Sequence, residues 1–144
     1  MRVQRIMCPV DFSESSTAAL DDAASLALQL GAKLLIVYVD DHPLLSGAAS
    51  SSLAQQLDQR RTQLERTTPH VRGVSFEHYL VRGKPSEEIP RFARLYNVDL
   101  VVMGRQSGAE RFDERHDNLC QVASRRCVCP VMTINCTTAH ASTA

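Results

Sequence analysis

Lys33-Leu-Leu-Ile-Val-Tyr-Val39, followed at once by Asp40-Asp41, decides the fold. The run is uninterruptedly apolar after its first residue and partly β-branched, so it has no polar face to offer water. Such a strand belongs in a parallel sheet covered on both sides. Upstream, Leu20, Ala23, Ala24, Ala27, Leu28 and Leu30 recur at helical spacing opposite Asp21, Asp22 and Gln29, and Gly31 supplies a C-cap. Before them, Arg5-Ile-Met-Cys-Pro-Val10 reads as a strand. It ends in Asp11-Phe-Ser-Glu-Ser-Ser16, a cluster whose side chains cap helix N-termini.

Downstream, His42 to Ser52 reads as a loop before a polar helix from about Leu53 to Thr67, whose thin stripe of Leu53, Leu57 and Leu64 predicts peripheral packing. Phe76 to Val81 reads as a strand. Gly83-Lys84-Pro85-Ser86-Glu87-Glu88 then opens a helix that buries Ile89, Phe92, Ala93 and Tyr96. Pro90 removes a backbone donor beyond the first turn, so this helix is expected to start late or bend. Asp99 to Met103 is a second buried strand, Gly104 to Asp117 a long polar segment, Asn118 to Arg126 a helix and Val131 to Ile134 a last strand. Residues 137–144 are expected to form a disordered tail. Strands alternating with helices, without a hairpin signal, predict an α/β fold: one domain over 1–144, a doubly wound, Rossmann-like, five-stranded and mostly parallel sheet with helices on both faces.

Composition narrows the function. At 144 residues, with 44% hydrophobic and 22% charged side chains, the chain has the size and balance of one globular domain. Lys plus Arg and Asp plus Glu are each 16, which removes the general attraction for nucleic acid or anionic membrane. No apolar run is long enough to span a bilayer, and Met1 to Val10 is too short and too charged for a signal peptide, so a cytoplasmic protein is expected. Five cysteines, an odd number, read as reduced thiols.

In doubly wound sheets ligands bind beyond the carboxyl ends of the strands, which directs attention to Asp11, to Val39–Asp41 and to Gly104-Arg-Gln-Ser-Gly108. A glycine after a buried strand lets backbone N–H groups approach phosphate. Equally, Gly104 and Gly108 can simply turn the chain. Neither a P-loop nor a Gly-x-Gly-x-x-Gly fingerprint occurs. The five histidines fall into no Ser/His/Asp order, so no hydrolase is indicated.

With these segments in place, the chain resembles the universal stress protein family. The likeness rests on Pro9-Val10-Asp11 with Ser13, Leu30-Gly31-Ala32, Val81-Arg-Gly83 with Pro85, Asp99-Leu-Val-Val-Met-Gly104, and Val122-Ala123 with Cys129-Pro130-Val131. The resemblance implies that Asp11 frames an adenine and ribose pocket with Val39 beside it; by chemistry alone Asp11 would be an N-cap. It also implies a phosphate loop in nucleotide-binding members, written as Gly, two residues, Gly, nine residues, Gly, then Ser or Thr. Anchored at Gly104 and at Cys129-Pro130-Val131, those later positions fall on Ser107, Asp117 and Asn118, so three of the four signature positions depart from the pattern, and a carboxylate replaces the third glycine, whose N–H would face phosphate. A carboxylate at 117 about 4 Å from a phosphate charge repels it by about 1 kcal/mol in water and about 4 kcal/mol at an effective dielectric of 20.

Gly108 can replace the missing glycine in a shifted loop. Arg105, Arg111 and Arg115 can neutralise phosphate, although they also alternate with Glu110, Asp113 and Glu114 as a solvated loop would. Asn118 can cap the last helix. The expectation is a non-catalytic regulator with weak or absent ATP or AMP binding, paired as a homodimer through the unpaired edge at Val131–Ile134 and acting on an unidentified protein partner. The alternatives are a competent ATP or AMP binder using Gly104–Gly108, Arg105 and Asn118, and a thiol or metal sensor using Cys120, Cys127, Cys129 and Cys136, which lack a Cys-x-x-Cys pair.

Overall fold

The computed structural model describes residues 2–42, 50–107 and 114–137. Within them strands and helices alternate: β1 (Arg5–Val10), α1 (Glu14–Leu30), β2 (Lys33–Asp40), α2 (Ser50–Glu65), β3 (Phe76–Arg82), α3 (Pro85–Leu95), β4 (Leu100–Ser107), α4 (Glu114–Arg126) and β5 (Val131–Thr137). The sheet order is β3-β2-β1-β4-β5, and every neighbouring pair is parallel. The chain therefore winds outward from β1 in one direction and then returns to wind in the other, a doubly wound Rossmann-like α/β fold with its switch point between β1 and β4.

The pleat sorts the strand residues into two cores. Ile6, Cys8, Val10, Leu34, Ile36, Tyr38 and Val102 pack with Leu20, Ala23, Ala24 and Ala27 of α1 and Leu64 of α2. Met7, Leu35, Val37, Val101 and Met103 pack with Ile89, Phe92 and Ala93 of α3 and Cys120 and Ala123 of α4. Alternate residues of one strand thus reach opposite layers, which is why the β2 run has to be apolar throughout. The alanines of α1 let that helix lie close to the sheet. No described helix is long and apolar enough to cross a membrane.

Several boundaries differ from the sequence reading. Helix α2 starts at Ser50, inside the segment read as loop. Helix α3 does not start late: Pro85 occupies its first turn and Pro90 lies inside it. Pro90 costs the Ser86 carbonyl its helical donor, an expense that burial of Ile89, Phe92 and Ala93 offsets. Strand β4 continues four residues past Met103, because Gly104–Ser107 pair with Ile134–Thr137. That same ladder carries β5 to Thr137, so the chain is still strand there, and the rest of the expected tail lies outside the described residues. Helix α4 begins at Glu114 rather than Asn118, with an acidic residue where the helix dipole favours one. Asn118 therefore sits within the helix and is not its cap.

Candidate functional site

The switch point opens because β1 and β4 pair only at Ile6↔Leu100 and Met7↔Val101. Beyond that the two strands part. A cavity of about 70 Å³ lies between them, lined by Pro9, Val10 and Asp11 from the end of β1, Val39 from β2, Met103 and Gly104 from β4, Ser15 and Ser16 from α1, Pro85 and Ile89 from α3, and Leu119 from α4.

The β1–α1 turn shapes one wall. Phe12 takes a left-handed backbone (φ 66°), a conformation that costs an L-residue roughly 1 kcal/mol. Its ring stacks on Tyr38, with centroids 4.6 Å apart. On either side the turn is tied by hydrogen bonds: Ser13 N–H donates to Asp11 Oδ1 at 3.0 Å, the Ser13 hydroxyl donates to the same oxygen, and Asp11 N–H donates to Ser16 Oγ at 3.3 Å. Ser13, not Asp11, is the N-cap of α1, its Oγ accepting from Ser16 N–H at 3.3 Å. Asp11 stays outside the helix at the cavity mouth and fixes the residue that does the capping. Burial, reinforced by Asp40, Asp41 and Asp11, pushes the nearby Tyr38 hydroxyl upward, with Arg60 opposing them.

Of the residues singled out from sequence, the structure brings Asp11, Val39 and Gly104 together at this cavity. Gly104 has a packing reason to be glycine: a Cβ there would lie 2.3 Å from the carbonyl oxygen of Ser15. Arg105 goes elsewhere. The strand alternation that turns Gly104 toward α1 turns Arg105 to the α4 side, where it lines a separate groove with Cys120, Gln121, Ser124, Arg125 and Thr133. Ser107 ends β4 opposite Thr137, and Asp117 and Asn118 belong to the backbone of α4; the side chains of these three, and all of Gly108, lie outside the described residues. Sequence reasoning passed over Ser15, Ser16, Ile89 and Leu119 as cavity residues. The first two are visible only as part of a capping cluster, Ile89 only as part of a buried helix face and Leu119 only as part of the last helix.

Among the described residues no three thiols bring their sulfurs within 4.8 Å of one another; the group of metal-ligating type that does is Asp40, Asp41 and His42, where His42 Nδ1 already lies 2.6 Å from Asp40 Oδ1. Burial, with Cys129 adding to it, pushes the Cys127 thiol up to about 11. A thiol so placed is almost wholly protonated near neutral pH and a poor nucleophile. Alkylation of Cys127 by iodoacetamide, followed by mass spectrometry, should therefore be slow at pH 7.5 and rise about tenfold per pH unit up to roughly pH 10. A rate that plateaus below pH 9 would contradict this.

A parallel sheet wound both ways from a central strand, with a cavity at the point of reversal, defines the Rossmann-like class of α/β proteins. The model of the universal stress protein family matches residues 2–135, and the chain belongs to that family. It is 27% identical over 117 residues to a universal stress protein of Methanocaldococcus jannaschii, covering 75% of this chain and 69% of the relative. Among solved structures, the universal stress protein UspA from Lactobacillus plantarum aligns with a TM-score of 0.73 at 22% identity, over 93% of this chain and 99% of the other. A universal stress protein from Archaeoglobus fulgidus in complex with dAMP aligns with a TM-score of 0.64 at 18% identity, over 93% and 99%.

Proposed function

We propose that this chain is a non-catalytic regulator of the universal stress type, acting in the cytoplasm as a homodimer and holding adenine nucleotides weakly or not at all. The observation that carries the reading is the composition of the switch-point cavity. Among the described residues its lining includes no Lys, Arg or His, and the one ionisable side chain among them is the carboxylate of Asp11. Phosphate recognition needs cations or converging N–H groups, and the ladder between Arg105–Ser107 and Asn135–Thr137 engages alternate amides of the segment where such a loop would stand. The volume of about 70 Å³ is also far below the roughly 300–1,000 Å³ of ordinary ligand pockets.

Self-association is supported by the sheet edge. Strand β5 is the last in the order, Met132 on it is exposed, and no described strand covers its outer side. An open edge of this kind pairs readily with a second copy of itself. A competent AMP or ATP binder is the rival reading, favoured by the dAMP complex of the Archaeoglobus fulgidus homologue and by the apolar walls of the cavity, which suit a base.

Calorimetric titration of AMP and of ATP with magnesium separates the two. The expected dissociation constant is about 1 mM or weaker, equivalent to about 4 kcal/mol of binding free energy. A micromolar constant that is lost in Asp11→Ala would overturn the proposal in favour of its rival. Sedimentation at micromolar concentration should give a dimer, and a monomer would remove the self-association part.

A further inference from the structure

We propose that the groove between α4 and the β4–β5 edge is a binding site for a compact phosphoryl anion, a phosphomonoester or pyrophosphate, separate from the switch-point cavity. The groove has a volume of about 270 Å³ and is lined by Arg105, Cys120, Gln121, Ser124, Arg125 and Thr133. Its geometry follows from the two periodicities of the fold. Gln121, Ser124 and Arg125 are spaced by three and four residues and share one face of α4. Thr133 pairs in register with Met103, whose side chain packs into the α3–α4 layer, so Thr133 and Arg105 rise from the same face of the sheet. Arg105 and Arg125 thus line opposite walls of the groove, one from the strand and one from the helix.

The chemistry between those walls is that of an oxyanion site. Among the described residues the lining contains two guanidinium groups, two hydroxyls, an amide and the Cys120 thiol, and no carboxylate. Arg105 is already engaged in contacts of its own. Arg125, by contrast, forms no ion pair with any described carboxylate, so its fork of donors is the uncommitted charge. A cation in the last turn of α4 also complements the helix dipole, but Arg126 beside it serves that purpose equally and the dipole gives no reason for Arg105 across the groove.

Donors converging from two sides match a tetrahedral anion with several acceptor oxygens better than a planar carboxylate, which a single guanidinium satisfies. The volume, just under the range of ordinary small-molecule sites, suits a phosphoryl group without a nucleoside attached. Pairing of β5 with another strand would use N–H and C=O groups in the plane of the sheet, whereas the groove opens onto its face, so the two can coexist.

The test is calorimetric titration of the full chain with sodium pyrophosphate, and separately with inorganic phosphate and malonate, at constant ionic strength. Saturable pyrophosphate binding is expected, weakened about tenfold or more by Arg125→Gln and less by Arg125→Lys, which retains the charge but loses the fork. Asp11→Asn should leave it unchanged, which distinguishes this site from the nucleotide cavity whatever the outcome there. As a readout independent of any variant, amide resonances of 120–126 and 131–135 should shift on addition of pyrophosphate to the wild type. Absence of saturable binding, binding insensitive to Arg125→Gln, malonate bound as tightly as pyrophosphate, or resonance shifts confined to other regions would each overturn the proposal.

Discussion

Replacing Gly104 by alanine should destabilise the protein by about 3 kcal/mol, at the upper end of what overpacking usually costs. The added Cβ would stand 2.3 Å from the Ser15 oxygen, 2.7 Å from the Ser15 carbonyl carbon and 3.1 Å from the Ser16 nitrogen. All three are backbone atoms in the first turn of α1, so none can rotate away as a side chain would. Strand β4 must move off α1, and both belong to the densely packed centre of the fold. Urea denaturation measures the loss directly, and the melting temperature should fall by roughly 9 °C in a domain of this size. The same experiment separates two reasons for the glycine. If its purpose were only to admit a phosphate, alanine would leave stability untouched, and a wild-type midpoint would show that the packing account is wrong.

Phe92→Ala should cost about 4 kcal/mol, within the range found when a buried phenylalanine is truncated. Phe92 is 4% exposed in the core between the sheet and α3. Its ring stacks on Tyr96 with centroids 4.1 Å apart and meets Tyr79 edge-on at 5.1 Å, so truncation removes two aromatic contacts as well as buried area. The loss should also act on α3, which has Pro90 in its interior and depends on this face for its place on the sheet. Phe92→Leu should cost roughly half as much, because it keeps most of the apolar volume. Equal losses in denaturant for the two variants would mean that the aromatic contacts, not the volume, set the cost.

How far the fold could be read in advance depended on whether a segment shows its apolar residues in a regular pattern. Leu34–Val39 and the alanines of α1 do, and there the sequence reading and the structure agree. Glu114–Asn118 contains no apolar residue, and the pattern of α4 becomes visible only at Leu119. Local pattern therefore places the start of that helix several residues late and leaves Asn118 where a cap could stand. Gly104–Ser107 is polar after the glycine and reads as loop, yet it is strand, held by a backbone ladder to β5 that no local pattern reports. The candidate site divides in the same way. Asp11, Val39 and Gly104 are marked by standing at strand ends, whereas Arg105, one residue further along, is carried by the pleat to the other side of the sheet.

The order of strands and helices, the apolar centre of the sheet and the strand ends at which a site would lie were determined by the sequence itself, because each follows from spacing along a short stretch of chain. The parting of β1 from β4, the close approach of Gly104 to Ser15 and the placing of Arg105 and Arg125 along one groove were decided only by the tertiary structure. Each joins residues far apart in the chain, and their meeting depends on how the layers pack.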